Sequence, residues 1–273
     1  MILCADMKNR IRRRFRELKK KNKKAFIAFI TAGFPDLKTT KDLVLELENS
    51  GVDIIELGVP FSDPLADGPA IQESSRVSIE AGTNLNKIFS LVKSLRKQTQ
   101  IPICLMTYYN LIFCFGIKRF LKLARSCGVD GVIVPDLPPE EDKKFVFGCR
   151  RHDVDSIFFL SPTTPANRVC LINGFSRGFI YYVSLTGVTG ARARLPSDLV
   201  KNIKIVRGKV DKPLCVGFGI SQPGQVKNLC RVADGVIVGS AVIKKIQANL
   251  GRPDLVKRVG RFVKSLAKHT NLP

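Results

Sequence analysis

The sequence lacks several features on which common classes of protein depend. Its longest apolar runs, such as AFIAFITAGF, fall far short of the ~18 consecutive apolar residues that a membrane-spanning helix needs. Its first residues, MILCADMKNR, contain no apolar segment after a basic start, so we predict no secretory signal. The eight cysteines include no CxxC pair, which is typical of buried free thiols and not of a metal site or a disulfide framework. We therefore expect a cytoplasmic protein that holds no metal.

Histidine, the usual carrier of protons near neutral pH, is scarce. His152 falls in a predicted helix and His269 lies near the C-terminus, so neither is well placed for an active site. Catalytic protons are therefore expected from carboxylic acids or from tyrosines. Tyr108 and Tyr181, at the ends of predicted strands, are the tyrosine candidates.

Acidic residues are outnumbered, with 45 Lys and Arg against 23 Asp and Glu. The run from position 8 to 24 alone holds eleven basic residues. Within it, Ile11, Phe15 and Leu18 have the spacing of one helical stripe, which predicts an amphipathic helix whose basic residues form mainly a solvated face. Nucleic-acid binding would need aromatic stacking platforms or a recognition motif among these charges, and the run has neither.

Short apolar, β-branched runs alternate with helical patterns along the whole chain. Eight predicted strands, from AFIAFITAG to DGVIVGSAV, are each followed by a helix. Such alternation favours a parallel sheet, because a parallel neighbour needs a crossover connection that a helix supplies. No Gly- or Ser-rich linker divides the chain. We predict the α/β class and a single (β/α)8 TIM-barrel domain over residues 1–273, with the extra N-terminal amphipathic helix at its bottom.

In a barrel of this kind the active site lies in the loops that follow the carboxyl ends of the strands. Two connections are unusually long and rich in Gly, Pro or Asp, at residues 59–84 and 184–198. Long loops at this end of a barrel are often lids over the active site.

Glycines at the ends of the last two predicted strands indicate a phosphate site. They occur in GFGIS, residues 217–221, and in VGSAV, residues 238–242. The N–H groups of Gly239 and Ser240 would point out of a helix N-terminus, whose dipole favours an anion, and Gly190 would add a third close approach. The alternative, that each glycine serves only a tight turn, stays open for any one of them.

Two carboxylates near the second predicted strand are the candidate catalytic groups. Glu56 interrupts the apolar run VDIIELGV, and burial near the mouth of a barrel would raise its pKa, as a general acid needs. Asp67 follows in PLADGP, a rigid stretch that can hold it across the cavity. Two carboxylates in different surroundings can take two roles. A structural role in capping a loop remains the alternative, above all for Asp63.

Several motifs, in this order, give the chain a family resemblance: FITAG, ELGVPFSDPLADGPAIQ, YYNLIF, GVDGVIVPDLPPEE, SLTGVTGAR, GFGIS and VGSAV. From about Asn9 to the C-terminal helix the sequence resembles the alpha subunit of tryptophan synthase. The resemblance implies retro-aldol cleavage of indole-3-glycerol phosphate to indole and glyceraldehyde 3-phosphate. It also implies an αββα heterotetramer in which indole passes to a beta subunit. This chain would hold no cofactor, and the beta subunit would hold pyridoxal phosphate.

The resemblance also implies roles for particular residues. Glu56 matches the general acid/base of the family, and Asp67 matches its partner at the indole nitrogen. The positions that match substrate contacts are Phe29, Met106, Tyr181, Thr189, Gly190, Gly219, Gly239 and Ser240. Those that fall in regions facing the beta subunit are Asp63, Asn110 and Asp136.

The sequence departs from the common family pattern at Phe34, at Val77, which has Arg76 one place earlier, and at Leu185. None of these departures removes the acid pair or the phosphate glycines. The sequence leaves two alternatives to the lyase. A phosphate-binding barrel isomerase would use a Lys or Asp on the first strand, and AFIAFITAG has neither. A catalytically weak chain that mainly activates the beta subunit is the other alternative, against which the intact acid pair argues.

Overall fold

The computed structural model describes residues 9–183, 197–217 and 219–271, with the backbone alone at Ser197. Nine strands within these ranges form one parallel sheet in the order β5-β4-β3-β2-β1-β9-β8-β7-β6. The strands are β1 (Ala25–Thr31), β2 (Ile54–Gly58), β3 (Ile103–Met106), β4 (Gly131–Ile133), β5 (Asp155–Ile157), β6 (Phe159–Leu160), β7 (Ile180–Val183), β8 (Leu214–Gly217) and β9 (Gly235–Val238).

The two edge strands of this order, β5 and β6, are consecutive in the chain and are separated by Phe158 alone. β5 pairs with β4, and β6 pairs with β7, so the two short strands share one position and the sheet is a nearly closed barrel. The predicted TIM-barrel fold is thus confirmed. The prediction of eight continuous strands is wrong at the fifth position, where the strand is divided.

Helices follow the strands and cover the barrel. They are α1 (Arg10–Lys20), α2 (Leu37–Asn49), α3 (Pro69–Glu80), α4 (Leu85–Leu95), α5 (Tyr109–Phe115), α6 (Ile117–Cys127), α7 (Lys143–Arg151), α8 (Ala166–Phe175), α9 (Ser197–Arg207), α10 (Pro223–Cys230), α11 (Ser240–Gln247) and α12 (Leu255–Ala267), with a short 3-10 helix at Lys268–Thr270. None of them, in the ranges that the structure covers, is long and apolar enough to cross a membrane.

The predicted long loop at residues 59–84 contains a helix, α3. It begins at Pro69, a residue well suited to the first position of a helix. Its buried face carries serines: the Ser74 hydroxyl lies 2.7 Å from that of Thr31, and the Ser78 hydroxyl donates to the Ala32 carbonyl at 2.5 Å. Because these buried positions are polar, the sequence has no apolar period that would predict the helix. The prediction of a long loop over residues 59–84 was therefore wrong in this part.

The lower part of the barrel interior is filled by inward-facing side chains of the strands. They are Ala25, Ile27, Ile54, Cys104, Ile133, Ile157, Phe179, Cys215 and Ile237. The apolar stripe of α1, namely Ile11, Phe15 and Leu18, packs against them from below. The prediction that the N-terminal helix covers the bottom of the barrel is therefore confirmed.

The basic residues of α1 divide into two groups. Lys19 and Lys20 are exposed, as predicted. Arg10 instead reaches Asp130 at 2.9 Å, and Arg14 reaches Asp53 at 3.1 Å. Similarly, Arg12 lies between Asp153 at 2.5 Å and Asp155 at 3.3 Å. The predicted solvated face is thus wrong for these three arginines, because aspartates at the amino ends of the strands lie directly above them.

The free thiols fall into two classes. Cys104, Cys127, Cys149, Cys215 and Cys230 are buried, as predicted. Cys114 and Cys170 are exposed, so the expectation of burial is wrong for these two. Cys4 lies outside the described residues.

Candidate active site

Glu56 lies in the middle of β2 and points into the barrel. Its neighbours in register are Phe29 on β1 and Cys104 on β3, and Ile54, two residues earlier, belongs to the interior cluster below. The side chain is 1% exposed, and neither carboxyl oxygen has a hydrogen-bond partner among the described residues. Burial, together with the smaller effect of the Asp67 charge, raises the pKa of Glu56 to about 8. At neutral pH the group therefore holds a proton that it can donate.

Asp67 lies on the loop between β2 and α3, at the carboxyl end of the strands. The Tyr108 hydroxyl donates a hydrogen bond to its Oδ2 at 3.0 Å. Burial raises the pKa of Asp67 to about 6, and the hydrogen bond from Tyr108 opposes that rise. Near pH 7 the two carboxyl groups therefore differ in protonation state, with Glu56 protonated and Asp67 ionised.

Aromatic rings form the walls beside the two carboxyl groups. The Phe29 ring lies against Gly58, and a Cβ added at this glycine would come within 2.5 Å of the ring. The Tyr181 hydroxyl similarly occupies the space over Gly217, where a Cβ would come within 2.5 Å. Burial raises the pKa of Tyr181, and the charges of Glu56 and Asp67 add to the effect, so its hydroxyl stays protonated. Small residues on neighbouring strands thus make room for large rings at the mouth of the barrel.

Met106, the remaining predicted wall residue, is the last residue of β3. It pairs in register with Gly58 of β2 and packs on the interior cluster while remaining partly exposed. The structure therefore places it on the strand next to Glu56, at the same end of the barrel.

The predicted phosphate glycines lie side by side at the carboxyl ends of β8 and β9. These strands pair directly, with Gly217 opposite Ile237. Gly219 has φ +65°, a conformation that favours glycine, and Gly239 precedes the first residue of α11, Ser240. Because α11 begins directly after β9, its N-terminus lies at the carboxyl end of the strands, and no side chain among the described residues caps it. Thr189 and Gly190 lie outside the described residues, as does Leu185.

The three residues predicted to face a partner are exposed on loops and a helix at the same end. Asp63 accepts a hydrogen bond from the Ser62 hydroxyl at 2.5 Å. Asn110 lies in the first turn of α5, and Asp136 accepts the Tyr109 N–H at 3.0 Å, which caps the same helix. Asp136 therefore also has the structural role that capping provides.

Two large apolar side chains near them are unusually exposed, and the sequence reasoning did not single them out. Leu65 is 96% exposed and Phe113 is 66% exposed. Leu65 lies in a turn and Phe113 lies on the short helix α5, so neither belongs to a long apolar period, and only their exposure in the fold identifies them.

The sequence reasoning also missed Phe159. Its ring packs on Tyr181 with the centroids 4.8 Å apart, and it lines a cavity of about 330 Å³ between the loops after β4 and β6. The period of two that places Ile157 inside the barrel also places Phe159 inside, so the signal was present in DSIFFLSP. The sequence predicts Tyr108 as a possible source of catalytic protons, but no sequence pattern predicts its hydrogen bond to Asp67.

Of the departures from the family pattern, Phe34 and Val77 are among the described residues and lie in or against the main core. Phe34 is buried in the main core at 2% exposure. Val77 packs against that core, and Arg76 pairs with Glu73 and Glu80 on the exposed side of α3.

His152 ends α7 outside the barrel, where its Nδ1 lies 3.0 Å from the Gly148 carbonyl, so it takes no part in the site.

Comparison with known proteins shows one family throughout. The family model described as tryptophan synthase alpha chain matches residues 15–271. The tryptophan synthase alpha chain of Geotalea uraniireducens is 52% identical over 94% of this chain and 96% of its own length. That of Caldanaerobacter subterraneus is 45% identical over 94% and 98%.

Solved structures agree with the sequence comparison. The tryptophan synthase subunit alpha from Legionella pneumophila superposes with a TM-score of 0.90 at 36% identity, covering 96% of this chain and 98% of that one. Tryptophan synthase from Mycobacterium tuberculosis gives a TM-score of 0.88 at 30% identity, with 97% and 99% covered. The fold, the paired carboxyl groups and these matches over nearly the whole length show that the chain belongs to the tryptophan synthase alpha chain family.

Proposed function

We propose that Glu56 and Asp67 together carry out the lyase reaction of this family, the cleavage of indole-3-glycerol phosphate to indole and glyceraldehyde 3-phosphate. The observation that supports this most is the difference in pKa between the two groups. One carboxylic acid that is protonated at neutral pH lies near a second that is ionised, both at the catalytic end of the barrel.

The chemistry needs a proton donor, a proton acceptor and a stabilising charge. Glu56 donates its proton to indole C3, and the positive charge that develops towards the ring nitrogen is stabilised by ionised Asp67. The Glu56 carboxylate then takes the proton of the side-chain hydroxyl while the carbon–carbon bond breaks. The electrons of that bond return to the indole ring, the hydroxyl becomes the aldehyde, and Glu56 regains its proton.

The substrate is bound through its two ends. Phe29, Met106 and Tyr181 contact the indole ring, whose flat apolar surface suits the walls that they form. The phosphate lies against Gly219, Gly239 and Ser240, where the N-terminus of α11 favours an anion. By the resemblance, Gly190 is a further phosphate contact and Thr189 helps to close the lid over Asp67; both lie outside the described residues.

The same proposal extends to the assembly. Residues 1–273 act as one domain, supported by the continuous core that joins the helices to the barrel. The exposed side chains of Asp63, Asn110 and Asp136 face a beta subunit, which holds pyridoxal phosphate and receives the indole in an αββα heterotetramer. Exposed Leu65 and Phe113 beside them offer the apolar area that the centre of an interface buries.

The test is release of indole from indole-3-glycerol phosphate by the purified chain, with and without a cognate beta subunit. Release that the partner accelerates supports both the reaction and the assembly. Absence of release from a folded chain that still raises beta-subunit activity would favour the alternative, a catalytically weak chain that mainly activates its partner.

A further inference from the structure

One tyrosine joins the end of β3 to the loop that carries Asp67. The Tyr108 hydroxyl donates to Asp67 Oδ2 at 3.0 Å and accepts the Ala66 N–H at 3.0 Å. Its ring also stacks on Phe61, with the centroids 5.0 Å apart and the planes 29° from parallel. Residues 61, 66 and 67 of the same loop are thus all held by a single side chain.

Tyr108 is itself firmly placed. It is 4% exposed and precedes the first residue of α5. The residue before it, Thr107, donates its N–H to the Ile133 carbonyl of β4 at 3.0 Å. The residue after it, Tyr109, donates its N–H to Asp136. The backbone on both sides of Tyr108 is therefore tied to β4 and to the loop that follows it.

The loop that Tyr108 holds has few anchors of its own. Leu65, at its tip, is 96% exposed. The backbone bonds within the loop are local turns, and the Gln72 side chain of α3 holds only the Asp67 carbonyl, to which it donates at 3.0 Å. The contacts of Tyr108 therefore set where the Asp67 carboxylate lies relative to the strands.

We propose that Tyr108 is a positioning residue, whose phenol holds the Asp67 carboxylate in place near Glu56 through one hydrogen bond to Oδ2 and one from the Ala66 N–H. This inference rests on the role proposed above for Asp67. A carboxylate that stabilises charge on a bound ring must be held to within a fraction of an ångström, and a misplacement of 1 Å can lower a rate about a hundredfold.

The surroundings of Asp67 explain why this hydrogen bond also affects its charge. Glu56 from β2 and Tyr181 from β7 interact electrostatically with Asp67. Asp136 interacts in the same way with Tyr108 itself. Burial and the charge of Asp67 raise the pKa of Tyr108, so the phenol remains a donor. The Tyr108 hydrogen bond lowers the pKa of Asp67, against the effect of burial.

The first test is Tyr108→Phe, which keeps the ring and its stacking on Phe61 but removes both hydrogen bonds. We expect kcat for indole release to fall roughly ten- to hundredfold, the range for one hydrogen bond to a charged group. The acid limb of the pH–rate profile moves to higher pH, because Asp67 becomes easier to protonate. A purely structural role of Tyr108 would not move this limb.

Tyr109→Phe is the matched control. Its hydroxyl donates to Asp142, away from Asp67, so the same atom is removed from the neighbouring residue. We expect this variant to keep the acid limb of the parent and to change kcat by less than about twofold. Equal activity and an equal acid limb for Tyr108→Phe and Tyr109→Phe would overturn the proposal.

A second measurement needs no turnover. The carboxyl-carbon NMR shift of Asp67, assigned by its loss in Asp67→Asn, reports the titration of that group directly. In Tyr108→Phe it should titrate at higher pH than in the parent, and an unchanged titration would overturn the inference. The Asp67→Asn variant also separates the two proposals: if it keeps full turnover, the proposed function of Asp67 fails whatever the titration shows.

Discussion

The two ends of the barrel each bury carboxyl groups, but they surround them differently. At the base, Asp130 is 3% exposed and meets Arg10 and Arg96, each at 2.9 Å, together with the Ile103 N–H at 2.9 Å. At the catalytic end, Glu56 is 1% exposed and has no hydrogen-bond donor in the described part of the chain. Burial alone therefore does not decide what a carboxyl group does, because its partners determine its charge.

The pKa values show the same contrast. Burial raises the pKa of Asp130, but Arg96 and Arg10 oppose the rise and favour a charged, paired group. Burial also raises the pKa of Glu56, and there the neighbouring charge belongs to Asp67, which raises it further. Asp130 at the base is thus held in charged pairs, whereas Glu56 at the catalytic end keeps a proton that can be transferred, at some cost in stability.

The strongest test of this contrast is Glu56→Gln, which removes the acid without changing the shape of the side chain. We expect indole release to fall roughly a thousandfold, the scale of a lost general acid. The unfolding free energy should be equal or higher, because an ionisable group that is buried without a hydrogen-bond partner in the described ranges is replaced by one that cannot ionise. Steady-state assays and urea unfolding measure the two effects, and undiminished turnover would contradict the role of Glu56.

The corresponding change at the base is Asp130→Asn. It leaves the positive charges of Arg10 and Arg96 without their carboxylate, so the unfolding free energy should fall by about 3 kcal/mol. The folded fraction should keep its kcat, because Asp130 lies at the opposite end of the barrel. Urea unfolding and activity per folded molecule provide the measurements. A loss of kcat without a loss of stability would show that a change at the base of the barrel affects catalysis at the opposite end.

The pH dependence of the reaction sharpens the comparison. Activity needs protonated Glu56, with a pKa of about 8, and ionised Asp67, with a pKa of about 6, so the pH–rate profile should be bell-shaped between these values. The acid limb should disappear in Asp67→Asn, measured on its residual activity. A profile that rises steadily through pH 8 and above would contradict the assignment of Glu56 as the acid.

Stability should depend on pH through the same group. The pKa of Glu56 is raised from its ordinary value of 4.5 to about 8 in the folded chain, so the folded state binds more protons between these values. Its contribution to stability is therefore present below pH 4.5 and is lost as the pH rises towards 8. The stability of Glu56→Gln relative to the parent should grow across this range, as urea unfolding at several pH values would show. A difference independent of pH would indicate that Glu56 is charged in the fold.

The smallest effect is expected for an exposed ion pair on α1. Arg13 lies 3.6 Å from Glu17, and both side chains are about half exposed. Arg13→Ala should change the unfolding free energy by less than about 0.5 kcal/mol, because solvent screens such a pair. Arg10→Ala on the same helix is the comparison, since it removes a partner of the buried Asp130. Similar losses of unfolding free energy in the two variants would contradict the distinction between the arginines that pair with buried aspartates and those on the solvated face.

Particular elements show how far the sequence could predict the fold and the site. The stripe of Ile11, Phe15 and Leu18 predicted both α1 and its burial, because an apolar stripe needs a core to pack on. The helix α3 could not be predicted in this way, since its buried face is made of serines that bond to Thr31 and Ala32. The break in the fifth strand at Phe158 likewise has no signal in an unbroken apolar run.

Within the site, residue type and position were predictable, but contacts between distant residues were not. Glu56 could be singled out because a carboxyl group in an apolar strand is costly and needs a reason. The hydrogen bond from Tyr108 to Asp67 joins residues 41 positions apart, and no local pattern contains it.

By itself the sequence determined the alternation of strands and helices, the burial of Glu56 in an apolar strand and the family, since all three depend on local patterns and ordered motifs. Tertiary structure alone decided which charges are paired. It placed aspartates above the arginines of α1, left Glu56 without a donor among the described residues, and brought Tyr108 to Asp67. The physical reason is that a pKa depends on burial and on neighbours within a few ångströms, and the closure of the barrel determines both.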